Sequence, residues 1–117
     1  FTINKKSVFR GIHGDNSTWK LISCIYGVIE SYIVNCDLDS KNFGKWEKFI
    51  LSDKSYKQIL VPPKFGNAYL VKKNNSIYHY KQTKTYTGAK NQFTYKWYDP
   101  RINLKIKKPL IISNRDK

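Results

Sequence analysis

The chain carries only two histidines, and the first, His13, lies in the stretch FRGIHGDNSTWKLISC (residues 9–24), between Arg10, Gly11, Gly14 and Asp15. A catalytic metal needs three or four His, Cys or carboxylate ligands converging on an open site. Around His13 they are scarce: Asp15, not a second histidine, follows two residues on, and the glutamates are limited to Glu30 and Glu47. No metal is expected. Acyl transfer is disfavoured too, because no Gly-x-Ser-x-Gly elbow occurs and neither Cys24 nor Cys36 has an evident activating partner. Glycine loops that cradle phosphate are absent. What remains is proton transfer, for which an imidazole titrating near working pH is the natural base. A carboxylate bonded to the far ring nitrogen would orient the ring, and residue type leaves both Asp15 and Asp116 open for that task.

The elements that must position this histidine read as strands. No helix-period stripe of useful length appears, whereas runs rich in Val, Ile, Tyr, Phe and Thr recur between clusters of Gly, Pro, Asn and Asp. The clearest are TWKLISCIYG, VIESYIVNC, WEKFILS, YKQILVPP, AYLVKK, SIYHYKQT, FTYKWY and LKIKK. Gly27 and the Asn74–Asn75 pair mark tight connections, since both residue types tolerate positive φ. So many short strands must hide their edges, which predicts an all-β double-sheet jelly roll or barrel. The final stretch, PLIISNRDK, is expected to dock as a short tail without strand structure. Alternation also sorts faces. Tyr78, Tyr80 and Gln82 share one side of their strand while Ile77, His79 and Lys81 share the other, so His79 is expected to pack away from any cavity that Tyr80 enters. Lys20, Ile22 and Cys24 fall together in the same way.

At 117 residues the chain forms one domain, 1–117. It has no apolar run long enough to span a bilayer and no secretion-signal pattern at its start, which predicts a soluble, non-secreted, cytoplasmic protein without a membrane partner. Two cysteines in strand-like stretches read as buried thiols in a reducing compartment. The formal charge of +14 raises nucleic acid as a partner. Two features argue against it: the arginines are only Arg10, Arg101 and Arg115, and the lysines are scattered among many Asn, Ile and Tyr, as an A+T-rich genome produces without selection. An anionic small molecule is served by the same positive field.

Seven stretches in order, FRGIHGD, WKLISCIYGVI, DSKNFGKWEKFILS, LVPPKFGNAYLV, YHYKQTKTY, WYDPRINLKI and ISNRD, together resemble the dTDP-4-dehydrorhamnose 3,5-epimerase family over essentially the whole chain. The family's motifs read R-G-L-H, K-L-V, S-P-T-F-G-x-W, I-P-x-G-F-A-H-G-F, L-Y-K, W-N-D and L-S-x-x-D. The resemblance implies a cupin-type jelly roll, a homodimer, a nucleotide-diphosphate sugar as substrate, and no metal or diffusible cofactor. It also implies that a segment the family carries before the Arg-Gly-x-His strand is missing here.

Carried over position by position, the resemblance makes His13 the base, Asp116 its carboxylate partner, Tyr80 the acid on the opposite side of the sugar, and Lys20 the group that stabilises an enolate. Arg10 and Tyr86 correspond to substrate-pocket residues, and Tyr78, on the face of Tyr80, is expected beside the substrate with them. A catalytic Asp116, one residue from the end, predicts an ordered tail. Two departures stand out: Asn67 replaces the family's histidine in G-F-A-H-G-F, and Asp15 follows the Arg-Gly-x-His motif. These versions look closer to a branch acting on GDP-linked 4-keto-6-deoxy-heptoses for capsule, with Asp15 as a substrate contact. Rival readings are a cupin 3,4-ketoisomerase, which carries a second histidine where Asp15 stands, and a carbohydrate-binding cupin without catalysis. Without the motifs, His13 reads as an ordinary loop histidine, Lys20 as a solvated lysine, and Trp19, Trp46 and Trp97 as structural.

Overall fold

Branched and aromatic side chains pack well on a pleated, half-buried surface, so the punctuated apolar runs condense into strands. The computed structural model describes residues 2–84, 92–107 and 110–117. Its strands are β1 (Thr2–Asn4), β2 (Val8–Gly14), β3 (Lys20–Tyr26), β4 (Val28–Asn35), β5 (Trp46–Ser52), β6 (Gln58–Val61), β7 (Phe65–Val71), β8 (Ser76–Gln82), β9 (Phe93–Thr94) and β10 (Ile111–Ile112), and the described residues contain no helix. Gly27 makes the β3–β4 turn at φ +89, where a Cβ would stand 2.1 Å from Ser76 Oγ. No helix among the described residues is long and apolar enough to cross a membrane.

Two sheets form. The smaller runs β1-β8-β3-β6, the larger runs β10-β2-β7-β4-β5, and β9 also pairs with β2. The ladders are antiparallel apart from β10 on β2. This is the double-sheet jelly roll expected from the strand pattern.

Alternation sends one set of side chains between the sheets, where Ile22, Cys24, Ile29, Leu51, Val61, Tyr69, Val71 and Tyr78 are buried together. The opposite face of the larger sheet carries Phe9, Ile12, Tyr32, Val34, Ala68 and Leu70, covered by Ile102 and Leu104 from the C-terminal stretch. Trp46 pins that cover through Nε1, which donates to the Ile102 carbonyl at 2.9 Å. β7 is therefore buried on both faces from Gly66 to Val71, which leaves no room for polar side chains without partners. Cys24 and Cys36 are buried free thiols, as expected.

Three segments depart from the sequence reading. FTYKWY pairs as a strand only over Phe93–Thr94, in β9. The described part of LKIKK, residues 104–107, does not pair as a strand: the chain turns at 99–103, where Asn103 adopts φ 51 and its N–H, like that of Ile102, donates to the Asp99 carbonyl. Leu104 then drops into the outer core. The tail is partly a strand, since Ile111 and Ile112 pair in parallel with Val8 and Phe9.

Candidate active site

Arg10 and His13 are three residues apart, an odd separation that places side chains on opposite faces of a regular strand. In the β2–β7 ladder Arg10 pairs with Tyr69 and His13 with Asn67, so Gly11 and Ile12 together oppose Ala68. This bulge restores the phase and brings Arg10 and His13 to the same cavity. Gly11 allows it, at φ +126 and so close to β7 that a Cβ would lie 2.5 Å from Ala68 Cβ.

The cavity, about 270 Å³, opens between the sheets. From the larger sheet β2 contributes Arg10 and His13, and β7 contributes Asn67 and Tyr69. The smaller sheet contributes Lys20 on β3 and Tyr78, Tyr80 and Gln82 on β8. Their register is direct: Lys20 pairs with Gln82 and Ile22 with Tyr80. His79, paired with Ser23, does not line the cavity, as alternation required.

His13 is held from behind. Its Nε2 lies 2.5 Å from Asp116 Oδ1, and the Gly11 N–H donates to Asp116 Oδ2 at 3.2 Å. Asp116 is 1% exposed, so its carboxylate is packed inside the fold. Burial pushes the Asp116 carboxyl up, but the His13 hydrogen bond and charge, the Gly11 N–H and the Arg115 charge outweigh it and hold the carboxyl below its ordinary value. An ionised carboxylate only accepts hydrogen bonds, so Nε2 carries a hydrogen and neutral His13 has its lone pair on Nδ1.

Lys20 Nζ donates to Asn67 Oδ1 at 3.4 Å, and Asn67 Nδ2 donates to Tyr78 OH at 3.0 Å. Burial lowers the Lys20 pKa, partly offset by Asp15 and reinforced by Arg115. Tyr78 stacks on Tyr69 with ring centroids 4.1 Å apart. Burial, together with Tyr69 and Tyr80, drives its phenol pKa far upward, so it stays a neutral hydroxyl. Tyr80 sits 39% exposed on the cavity wall. With Arg10, Lys20 and Arg115 on its walls and no carboxylate among its described lining residues, the cavity suits an anion.

The pocket thus brings together His13, Lys20, Tyr80, Arg10, Asn67 and Tyr78, with Asp116 behind His13 rather than on the cavity wall. Asp15 stands apart. Its carboxylate accepts from the N–H groups of Ser17 and Thr18 at 3.0 and 2.7 Å and from Thr18 Oγ1 at 2.7 Å, closing the β2–β3 turn. It is not a lining residue and acts on the site through its charge on Lys20. Tyr86 lies outside the described residues. Sequence reasoning missed Thr2, Tyr69, Gln92 and Arg115. Tyr69 was accessible by alternation from Asn67, and Arg115 by its adjacency to Asp116. Gln92 had no local signal, yet it holds Arg115 Nη2 through Oε1 at 2.8 Å.

The family model described as dTDP-4-dehydrorhamnose 3,5-epimerase matches residues 1–117. The dTDP-4-dehydrorhamnose 3,5-epimerase of Escherichia coli strain K12 is 30% identical over 102 residues, covering 85% of this chain and 55% of that protein. The crystal structure of the enzyme of that name from Elizabethkingia anophelis superposes with a TM-score of 0.88 at 26% identity, covering 98% of this chain and 66% of that one. A dTDP-6-deoxy-D-glucose-3,5-epimerase from Legionella pneumophila, solved with dTDP-4-keto-L-rhamnose, gives 0.88 at 27% identity, covering 98% and 63%. The chain spans between 55% and 65% of the length of the curated relatives it matches. The jelly roll is of the cupin type these proteins share, and a match along every residue shows that the chain belongs to the dTDP-4-dehydrorhamnose 3,5-epimerase family.

Proposed function

We propose that this chain is an isomerase that epimerises C3, C5 or both in a nucleotide-diphosphate-linked 4-keto-6-deoxy sugar. The observation that carries the reading is the buried Asp116 locking His13 at the wall of a cationic cavity that also holds Lys20 and Tyr80. The C4 carbonyl acidifies the hydrogens on C3 and C5. His13 Nδ1 takes one as a proton, the C–H electrons form the enolate, and negative charge moves onto O4. Asp116 stabilises the imidazolium so formed. The Lys20 ammonium faces the charge on O4, a placement worth a few kcal/mol of barrier, on the order of 3. Tyr80 returns a proton to the opposite face of the same carbon, which inverts it. The resulting phenolate and imidazolium reset by exchange with water. Arg10 and Arg115 match the diphosphate charge.

The same reading takes the protein as a cytoplasmic homodimer that makes sugars for capsule or lipopolysaccharide, with a GDP-linked heptose as the alternative to a dTDP-linked hexose. The test is solvent deuterium incorporation, using the purified full chain with each 4-keto nucleotide sugar. The expected result is label at C3, C5 or both, abolished in His13→Asn. Label at neither carbon refutes an epimerase and leaves a binding cupin, whereas a keto shift to C3 identifies a ketoisomerase. Undiminished exchange in His13→Asn removes His13 from the mechanism.

A further inference from the structure

We infer that Tyr78 is a second catalytic donor to the oxyanion at O4, with Asn67 as the positioning residue that turns its hydroxyl toward the sugar; this rests on the proposed epimerase reading. The orientation follows from hydrogen-bond accounting. Asn67 stands between Lys20 Nζ, 3.4 Å from its Oδ1, and Tyr78 OH, 3.0 Å from its Nδ2. An ammonium has hydrogens to give and no lone pair, so it compels the amide to present oxygen to Lys20 and NH₂ to Tyr78. The phenol oxygen must then accept. Its own hydrogen is directed away from Asn67, and no other described residue takes it.

Lys20, Asn67 and Tyr78 all line the cavity, so the ammonium and the phenol O–H are presented to it from the two ends of one amide. Tyr78 is 4% exposed and its ring is clamped against Tyr69, which fixes the donor before substrate arrives. Burial keeps the phenol protonated, so it serves as a neutral donor rather than as a base. Preorganised donors of this kind need no reorientation as charge develops on the substrate. Tyr80, more exposed and without a hydrogen bond to its hydroxyl among the described residues, retains the separate task of returning a proton to carbon.

Tyr78→Phe removes the O–H and preserves the ring stack. The rate of deuterium exchange at saturating substrate should fall about 10²-fold while KM stays within about twofold, because the donor acts on charge absent from the ground state. Site-specific 3-fluorotyrosine at position 78 keeps the hydroxyl and sharpens its acidity, and it should raise the saturated rate by about twofold. It also keeps the test decisive if Tyr78→Phe does not fold. Exchange in Tyr78→Phe within threefold of wild type, or a 3-fluorotyrosine variant no faster than wild type, overturns the inference. Wild-type protein that exchanges neither carbon refutes the epimerase reading itself. Wild-type exchange matched by Tyr78→Phe refutes only the role of Tyr78.

Discussion

Replacing Asp116 by asparagine changes almost no volume and should nevertheless stop proton abstraction. Both carboxylate oxygens accept hydrogens in the native site, one from His13 Nε2 at 2.5 Å and one from Gly11 N–H at 3.2 Å. An amide has one accepting oxygen, so one contact is mismatched in either orientation. With its oxygen toward His13, the NH₂ confronts Gly11 N–H and leaves a buried donor unsatisfied, at a cost of about 1–3 kcal/mol. Reversed, the NH₂ faces Nε2, the ring hydrogen moves to Nδ1, and the lone pair that takes the substrate proton is gone. Neither orientation supplies negative charge to stabilise the imidazolium. Loss of the carboxylate that orients a catalytic histidine lowers turnover on the order of 10⁴-fold. NMR-detected exchange at C3 and C5 under saturating substrate reads this directly, and a variant within tenfold of wild type would refute the dyad. The same substitution has a pH signature. The folded Asp116 carboxyl titrates below its ordinary value of 3.8, so its contribution to stability is present above about that pH and is lost as pH falls through the folded value. The stability difference between wild type and Asp116→Asn therefore narrows in acid, measured by urea unfolding from neutrality down to pH 3. A difference that widens there contradicts the assignment.

Gly11→Ala would place a Cβ 2.5 Å from Ala68 Cβ and 2.8 Å from the Asn67 carbonyl oxygen at φ +126. It should lower the unfolding free energy by at least about 2 kcal/mol, and unchanged urea stability would show that the bulge tolerates a side chain. Burial raises the thiol of Cys24, with help from Asp53, to about 11 and that of Cys36 to about 12. In native protein at pH 8 both should resist a disulfide exchange reagent, and two thiols should react once denaturant is added; rapid native reaction would disprove their burial.

Much of the architecture was legible because strand chemistry is local. Tyr78, Tyr80 and Gln82 had to share a face with one another and not with His79, and all three line the cavity while His79 does not. Lys20 aligned with Ile22 and Cys24 by the same rule, and both of those are buried. The rule failed where geometry stops being periodic. Nothing local announces the β2 bulge, and without it Arg10 and His13 would face opposite ways. LKIKK has strand-like alternation, but the turn at 99–103 commits its apolar residues to covering the outer face of the larger sheet.

The carboxylate that serves His13 marks the boundary between the two kinds of information. By itself the sequence determined the inventory: an imidazole suited to proton transfer, too few ligands around it for a metal, two candidate aspartates, and apolar alternation that had to close into two sheets. Residue type and proximity along the chain favour Asp15, two positions away, as readily as Asp116. The family resemblance singled out Asp116, and the tertiary structure supplies the physical reason. The β2–β3 turn consumes Asp15 with three hydrogen bonds from Ser17 and Thr18, while the parallel pairing of β10 with β2 carries the end of the chain back beneath the bulge. Asp116 thereby reaches His13 across 103 residues. Hydrogen-bond partners are chosen by distance and direction in space, and only the closed fold specifies those.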